Sequence, residues 1–379
     1  MHRTANLIYC AAFCGTLLGL ALWSSKSFTD FSVASDTPVL NGKLSHAFEK
    51  HYDDEFPVRQ FGTNVWAALE YSLFGEGRPG VVIGENDWLY SDEEFKPVAD
   101  GEQHLRDNLA IIRGVREQLQ RHDVQLVLAI IPAKSRLYPE HTGQHQPAAL
   151  RSDLYQQLRS TARRANIVTP DLLAALQQAK QHGQVFLRND THWTPLGAEV
   201  AAQQVGAAVH RSLSLQGEPQ RYITEITGQK DYKGDLTRFL PLDPLFENLL
   251  PPPERLQLRE TRSTSSADLE SGDALFAEQH IPVALVGTSY SANPNWNFAG
   301  ALRQSLGHDV SNHAEDGNGP ILPMLRFLQS DALKDAAPQL VIWEFPERYL
   351  PMGNDLSDFD PDWIAELKQG TGNQRLARH

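Results

Sequence analysis

Cysteine is almost absent. Of 379 residues only Cys10 and Cys14 carry a thiol, and both lie inside one apolar run near the start of the chain. The remainder therefore has neither a disulfide framework nor a thiol nucleophile, and two small apolar fillers in a hydrophobic helix account for the pair better than a redox or metal site does. Basic residues are scarce as well, 34 Lys and Arg against 47 Asp and Glu, which gives a formal charge of −13. No basic stripe breaks that balance. This argues against nucleic acid or an anionic membrane surface as a partner, and it sets an unfavourable mean field against any polyanionic polymer. No internal repeat and no His-Glu-x-x-His segment is present, so neither a repeat array nor zinc-hydrolase chemistry is indicated, and no metal or cofactor is expected.

Long hydrophobic runs are limited to one. Residues 5–23 carry no charge, follow His2 and Arg3, and give way to Ser24-Ser-Lys26. The run is just long enough to cross a bilayer, and its flanks favour a cytoplasmic start with the bulk of the chain exported. A cleaved signal peptide and a retained anchor share these features; the small-x-small site around Leu22-Trp23-Ser24 is poorly formed, which favours the anchor. The aromatic residues just before each cysteine leave no lipoprotein processing site, so lipidation is not expected.

What the chain does hold is a serine at the end of a strand-like run, Ile281-Pro-Val-Ala-Leu-Val-Gly-Thr-Ser289-Tyr-Ser. Residues 282–286 are too few for a helix and end in Gly287, so the pattern predicts a buried strand whose last turn presents Ser289. Earlier the chain reads Arg188-Asn-Asp190-Thr-His192-Trp-Thr-Pro. A serine hydroxyl needs a base to take its proton and an acid to hold that base in the right tautomer, and His192 with Asp190 is the best-placed pair. Each piece has a plainer reading: a turn serine bonding nearby backbone, and an Asp-x-His loop ion pair or two metal ligands. The context favours catalysis, because Thr194 and Pro195 open a helix as N-cap and first helical residue, which places His192 in a loop feeding a scaffold element.

From residue 103 the pattern alternates: a helix at 105–121, a strand at 125–131, helices at 152–166 and 171–182, the Asp190/His192 loop with its helix, the serine strand, helices at 297–306 and 321–330, and a last strand from 339. Alternation of this kind implies an α/β fold with a parallel sheet and helices on both faces. Three parts are expected: an anchor over residues 1–26, a polar, aromatic-rich extension over 27–100 with a hairpin at Val82-Ile-Gly-Glu-Asn-Asp-Trp-Leu-Tyr, and a main domain over 101–379. An irregular insertion is expected at about 221–273, including a mobile loop that starts at Thr261.

The chain resembles SGNH-type acyl esterases, and more specifically the periplasmic alginate O-acetyltransferases of the AlgJ type. The resemblance rests on Glu55-Phe-Pro, Gly75-Glu-Gly-Arg-Pro-Gly, Asp87-Trp-Leu-Tyr-Ser-Asp-Glu-Glu-Phe, Ile131-Pro-Ala-Lys-Ser-Arg-Leu-Tyr-Pro-Glu, Asp190-Thr-His-Trp, Gly287-Thr-Ser-Tyr-Ser-Ala-Asn-Pro-Asn-Trp-Asn-Phe and Trp343-Glu-Phe-Pro-Glu-Arg-Tyr-Leu-Pro, which together span nearly the whole chain. It implies Ser289 as nucleophile, His192 as base and Asp190 as orienting acid. It further implies a membrane-bound acyltransferase that supplies acetyl groups, periplasmic accessory and transferase proteins, polysaccharide as final acceptor, and residence at the inner membrane with the catalytic domain in the periplasm. The acid and base precede the serine, which reverses the usual SGNH motif order and is consistent with a circularly permuted domain.

For the oxyanion hole the resemblance suggests the Ser289 N–H with Gly317 or Gly319, and Asn293 or Asn295 as side-chain donors. Arg348 and Tyr349 are candidates for gripping substrate, although an ion pair of Arg348 with Glu344 or Glu347 is as good a reading. Lys134 reads as a surface charge. Trp193 and Trp296 flank the catalytic motifs and can serve as a sugar or acyl platform or as packing. Two other functions stay open: a carbohydrate acetylesterase, in which water takes the acyl group, and a non-catalytic scaffold of a polysaccharide-modification complex.

Overall fold

The computed structural model describes residues 2–25, 31–32, 42–147, 152–264, 281–334 and 336–370. These fall into two compact units, one comprising the residues up to Arg78 together with Arg238–Leu250, the other Pro79–Thr237 together with Pro251 onward. The expected boundary near residue 100 therefore lies earlier, and a short later segment joins the first unit.

In the first unit, the apolar run forms helix α1 (His2–Ser24), whose Leu7–Ser24 stretch is long and apolar enough to cross a membrane. Two further helices follow, α2 (Lys43–Glu55) and α3 (Pro57–Leu69), the latter opened by Pro57 at its first turn and continued by a π-helical turn, Glu70–Phe74. The sequence reading gave this region no helices. Asn64 Nδ2 donates to Pro241 O (2.6 Å) and Arg78 N to Phe239 O (2.9 Å), which ties in the later segment.

The second unit begins with the expected hairpin, β1 (Val81–Ile83) and β2 (Leu89–Ser91), paired antiparallel. Helix α4 (Gly101–Arg121), strand β3 (Gln125–Ile131), helices α5 (Leu154–Arg164) and α6 (Leu172–Ala179), and helix α7 (Pro195–Ser212) follow in the predicted order. Thr194 caps α7 as its sequence suggests, its hydroxyl accepting from Gly197 N at 3.1 Å. Beyond lie strands β4 (Tyr222–Tyr232), β5 (Glu254–Ser263) and β6 (Val283–Val286), the one-turn helix α8 (Ser289–Ala292), helix α9 (Phe298–Leu306), strand β7 (Val310–Asn312), helix α10 (Ile321–Gln329), strand β8 (Leu340–Pro346) and helix α11 (Pro361–Gln369).

Four strands make one parallel sheet in the order β3-β8-β6-β7. Both faces are covered, which is why β3, β6 and β8 read as largely continuous apolar runs, whereas the edge strand β7 is short and polar beyond Val310. Successive side chains nonetheless go to opposite sides. Val127, Ala129 and Ile131 of β3, Leu340 and Ile342 of β8, and Val283 and Leu285 of β6 pack with α6, α7 and α9. Leu126, Leu128 and Ile130, Val341, Trp343 and Phe345, and Ala284 and Val286 pack with α4, α5, α10 and α11. The result is an α/β architecture, a parallel sheet between two helical layers, as the alternation of elements implies.

The segment expected to be an irregular insertion is in large part regular. β4 and β5 pair antiparallel from Tyr222↔Ser263 to Tyr232↔Glu254, with one register shift between Ile226 and Gly228. Thr261, placed by the sequence reading at the start of a mobile loop, is the third-last residue of β5; its hydroxyl bonds Thr224 Oγ1 (2.8 Å) and accepts from Asn297 Nδ2 (2.9 Å). Residues 265–273 of the expected insertion, and 26–30 and 33–41 of the expected anchor and extension, lie outside the described residues.

Candidate active site

The serine sits where β6 turns into α8. Thr288 caps that short helix and Ser289 is its first residue, so the Ser289 N–H has no carbonyl one turn back to bond. Under the turn lies Glu344, fully buried at the end of β8, which accepts from Thr288 N (2.7 Å), Thr288 Oγ1 (3.0 Å) and Ser291 Oγ (3.0 Å). A Cβ on residue 287 would fall 2.5 Å from the Glu344 carboxylate, so only glycine lets the turn settle onto it.

The Asp190/His192 loop is the tip of a tight return. Phe186 bridges Trp193, Leu187 N donates to His192 O, and Thr194 N donates to Val185 O. His192 Nδ1 lies 2.7 Å from Asp190 Oδ1 and Nε2 lies 2.7 Å from Ser289 Oγ. With an ionised carboxylate on one side, Nδ1 carries the proton and Nε2 is left as acceptor for the serine hydroxyl. Burial pushes the Asp190 carboxyl up, but the hydrogen bond and charge of His192 and the N–H groups of Asp235 and His192 outweigh it and hold the group below the usual carboxylate range.

Asp190 is held from every side. Its Oδ1 also accepts from His192 N (2.8 Å), and its Oδ2 from Tyr232 OH (3.1 Å) and Asp235 N (2.8 Å). Tyr232 comes from the β4–β5 ribbon. Asp235 follows Gly234, whose absent Cβ would meet Asn189 O at 2.0 Å. Asp235 places a second carboxylate 3.8 Å from His192 Nδ1 and accepts from Thr191 N and Oγ1. Burial and the neighbouring Asp190 charge raise its pKa. Asp190, His192 and Asp235 have the composition of a metal cluster, yet both imidazole nitrogens already face protein partners, Asp190 and Ser289, so the donor set fits proton transfer better than metal ligation.

Several expectations need correction. Lys134 is no surface charge: it is buried, and its ammonium donates to Leu89 O (2.5 Å), Arg188 O (2.8 Å) and Asp190 O (2.9 Å). Arg348 is buried too and cannot grip a substrate; it pairs with Glu93 (2.8 Å), not with Glu344 or Glu347, and donates to Tyr290 OH (3.0 Å), which in turn donates to Thr191 O (2.6 Å). Glu347 belongs to Arg136 (2.8 Å). Trp296 is fully buried, its ring stacked 5.4 Å from the His192 ring, so it backs the imidazole and offers no face to a sugar; Trp193 is equally buried. Tyr349 is half-buried beside Gly319.

Gly317 and Gly319 have φ of 75° and 60° in the loop after β7. That loop is tied to the serine strand through His313 N to Leu285 O (2.8 Å) and Glu315 N to Gly287 O (3.1 Å), so it runs beside the nucleophile turn. Asn293 uses its side-chain oxygen to cap the turn that follows, accepting from Asn295 N (3.0 Å). Asn312, which the sequence reading passed over, locks this side by donating to Ser291 O (2.9 Å). Lys134, Tyr232, Asp235, Tyr290 and Glu344 were likewise missed as parts of the site; Glu344 alone carried a signal, a carboxylate inside the apolar run of β8.

Burial pushes the Glu344 carboxyl up to about 7. A raised carboxyl binds its proton longer in the folded chain than in the unfolded one, so its stabilising contribution is complete below pH 4.5 and is lost as pH rises through about 7. Glu344→Gln is therefore expected to gain on the wild type across that window by on the order of 3 kcal/mol. Denaturant titrations of both proteins at the two ends of the window measure this; parallel pH profiles would remove Glu344 as the titrating group.

Comparison with known proteins agrees with this chemistry. The family model described as "SGNH hydrolase-like domain, acetyltransferase AlgX" matches residues 81–347. A probable alginate O-acetylase AlgJ of Pseudomonas syringae pv. tomato is 60% identical over 374 residues, covering 99% of this chain and 95% of that protein. The corresponding Azotobacter vinelandii protein is 61% identical over 378 residues, covering 100% and 97%. Among solved structures, the O-acetyltransferase domain of Pseudomonas putida AlgJ is 61% identical and superposes with a TM-score of 0.71 over 77% of this chain and 99% of that one.

Proposed function

The chain belongs to the SGNH hydrolase-like acetyltransferases that include AlgX and the alginate O-acetylases AlgJ, and from that premise we propose that it moves acetyl groups toward the mannuronate hydroxyls of alginate through an acetyl ester of Ser289. The observation that carries the reading is the unbroken contact Asp190–His192–Ser289, 2.7 Å at each step. Ser289 Oγ attacks the carbonyl of the acetyl donor as His192 Nε2 takes its proton, and the charge on the imidazolium is balanced by Asp190. The oxyanion that forms lies at the start of α8, where the Ser289 N–H is free to receive it, with the neighbouring Gly317–Gly319 loop as the second source of donors. His192 returns the proton to the leaving group. In the second half an acceptor hydroxyl loses its proton to the same nitrogen, attacks the acetyl-serine carbonyl and leaves as its acetyl ester, and His192 passes that proton to the departing Ser289 Oγ, restoring the hydroxyl. Incubation with p-nitrophenyl acetate should add one acetyl group to Ser289, read by peptide mass spectrometry; an unlabelled Ser289 in active protein would refute the covalent route.

Hydrolysis and transfer use the same triad and differ in what reaches the acyl-enzyme. In this reading α1 anchors the chain in the inner membrane, the catalytic unit works in the periplasm, and a membrane-bound acyltransferase supplies the acetyl group. The arginines favour a relay over direct handling of polymer. Arg136 and Arg348 are committed to Glu347 and Glu93, and Arg188 lies 3.7 Å from Glu254. With a net charge of −13 and no free arginine among these three, a long polyuronate has little to hold. Calorimetric titration of the full-length protein with mannuronate oligomers should give affinity no tighter than millimolar, and acetyl should pass to a second periplasmic transferase. Micromolar affinity would make this chain the terminal transferase instead.

A further inference from the structure

Helix α3 is built inside out. Its buried side consists of Asn64, Ala67 and Ala68, while Trp66, Leu69 and, in the π turn that continues it, Leu73 and Phe74 stand exposed. Trp66 is 61% exposed and Leu73 69%. An amphipathic helix of a water-soluble unit turns its large apolar residues inward and its small or polar ones outward; here the fully buried positions are small or polar, and the largest apolar side chains stand outside. Two turns of helix place Trp66, Leu69 and Leu73 on one side, at spacings of three and four. Patches of this kind mark a surface that something apolar covers.

The first unit indicates what covers it. The end of α1 meets the start of α3, with the Trp23 and Phe61 rings 6.0 Å apart edge to face and Ser24 buried. From Leu7 to Trp23 only Leu20 is even half-buried, so α3 touches α1 at its last turn and does not run beside it. The helix thus leaves from the point where a bilayer-spanning segment would emerge. Tryptophan is enriched at that depth, and an apolar helix face beds there some 5–10 Å into the headgroup and acyl boundary. Arg59 is the single charged side chain from Pro57 to Leu69, and Glu70, which opens the π turn and is half-buried, is the one carboxylate from there to Phe74 and has to reach the headgroup layer.

We propose that the outer face of α3 and its π turn, Trp66, Leu69, Leu73 and Phe74, lies in the interfacial layer of the lipid bilayer beside α1. The proposal rests on α1 being a retained anchor, and it makes the attachment two-part: a span and a surface helix. Such a helix fixes the first unit against the membrane in place of leaving it on a free tether.

Single-cysteine, full-length proteins reconstituted in phosphatidylcholine vesicles test it. In one, Cys14 is kept and Cys10→Ser introduced. In three others both cysteines become serine and Leu69→Cys, Leu73→Cys or, as an exposed control on β5, Gln257→Cys is added. Each is labelled with an environment-sensitive fluorophore and quenched with aqueous iodide or with nitroxide-bearing lipid. The probes at positions 69 and 73 should be quenched several-fold more by nitroxide lipid than the probe at 257, and several-fold less by iodide. Iodide access at 69 and 73 with Cys14 shielded would overturn the surface helix and leave the anchor standing. Iodide access at Cys14 would remove the anchor and the proposal with it. Shielding of 69 and 73 from both quenchers would mean that protein covers the face, and would overturn the lipid assignment.

Discussion

A Ser289→Ala enzyme is expected to lose acetyl-ester turnover by roughly five orders of magnitude while staying folded. The substitution removes one hydroxyl whose described partner is His192 Nε2. The ties that hold the turn, Thr288 and Ser291 to Glu344, are untouched. His192→Ala should abolish turnover as well but is a less clean test, because the Tyr290 and Trp296 rings, 4.6 and 5.4 Å away, lose the ring they pack on. Asp190→Asn should lose about 10⁴-fold, since an amide at that position favours the wrong imidazole tautomer. Steady-state hydrolysis of p-nitrophenyl acetate, with circular dichroism as the check on folding, measures all three. A folded Ser289→Ala protein that retains turnover would exclude Ser289 as the nucleophile, whereas an inert wild type would return the scaffold reading to contention.

The parts of this molecule that were legible in the sequence are those whose signals are local. A buried strand of a parallel sheet is a short apolar run wherever it lies, so β3, β6 and β8 could be placed nearly to the residue. Thr194-Pro195 marks a helix start by itself, and Gly287-Thr288-Ser289 marks a turn. What could not be read depends on pairing across the chain. The ribbon β4–β5 packs on the core through Leu256, Leu258 and Tyr232 only, and its other positions are largely polar, with Lys230, Asp231, Arg255 and Glu260 exposed, so its apolar alternation is too short to mark two strands of ten residues or more. Arg348 and Glu93 are 255 positions apart, and nothing near either residue announces the other. Trp296 was weighed as a platform because it adjoins the serine motif; only the fold decides that the ring turns inward, against His192.

Lys134 is the strongest instance, and its replacement should have the second largest effect. Its ammonium presents three donors to three carbonyls from different segments, Leu89 of β2, Arg188 and Asp190 of the catalytic loop, and it sits over the Trp88 and Tyr90 rings at 5.1 and 5.2 Å. Burial pushes its pKa down to about 8, which still leaves the proton on at neutral pH. Lys134→Met keeps the length and the apolar stem but strands the buried Leu89 and Asp190 carbonyls, while Arg188 O keeps the Leu89 N–H; each stranded carbonyl costs about 1–3 kcal/mol without a partner. The expected loss is on the order of 4 kcal/mol, or about 10 °C in melting midpoint for a unit of this size. Because Asp190 O is one of the three, the variant should also lose roughly 10²-fold in kcat with a smaller change in KM, as the loop that aims His192 loosens. The sign of the pH dependence separates this role from simple packing. A lysine whose folded pKa lies below its unfolded value leaves the folded state with fewer bound protons between about 8 and 10.5, so wild-type stability should rise over that interval relative to the methionine variant. Calorimetric melts of the two proteins across the interval decide the point: a gap that stays constant or narrows would show that Lys134 acts by shape alone.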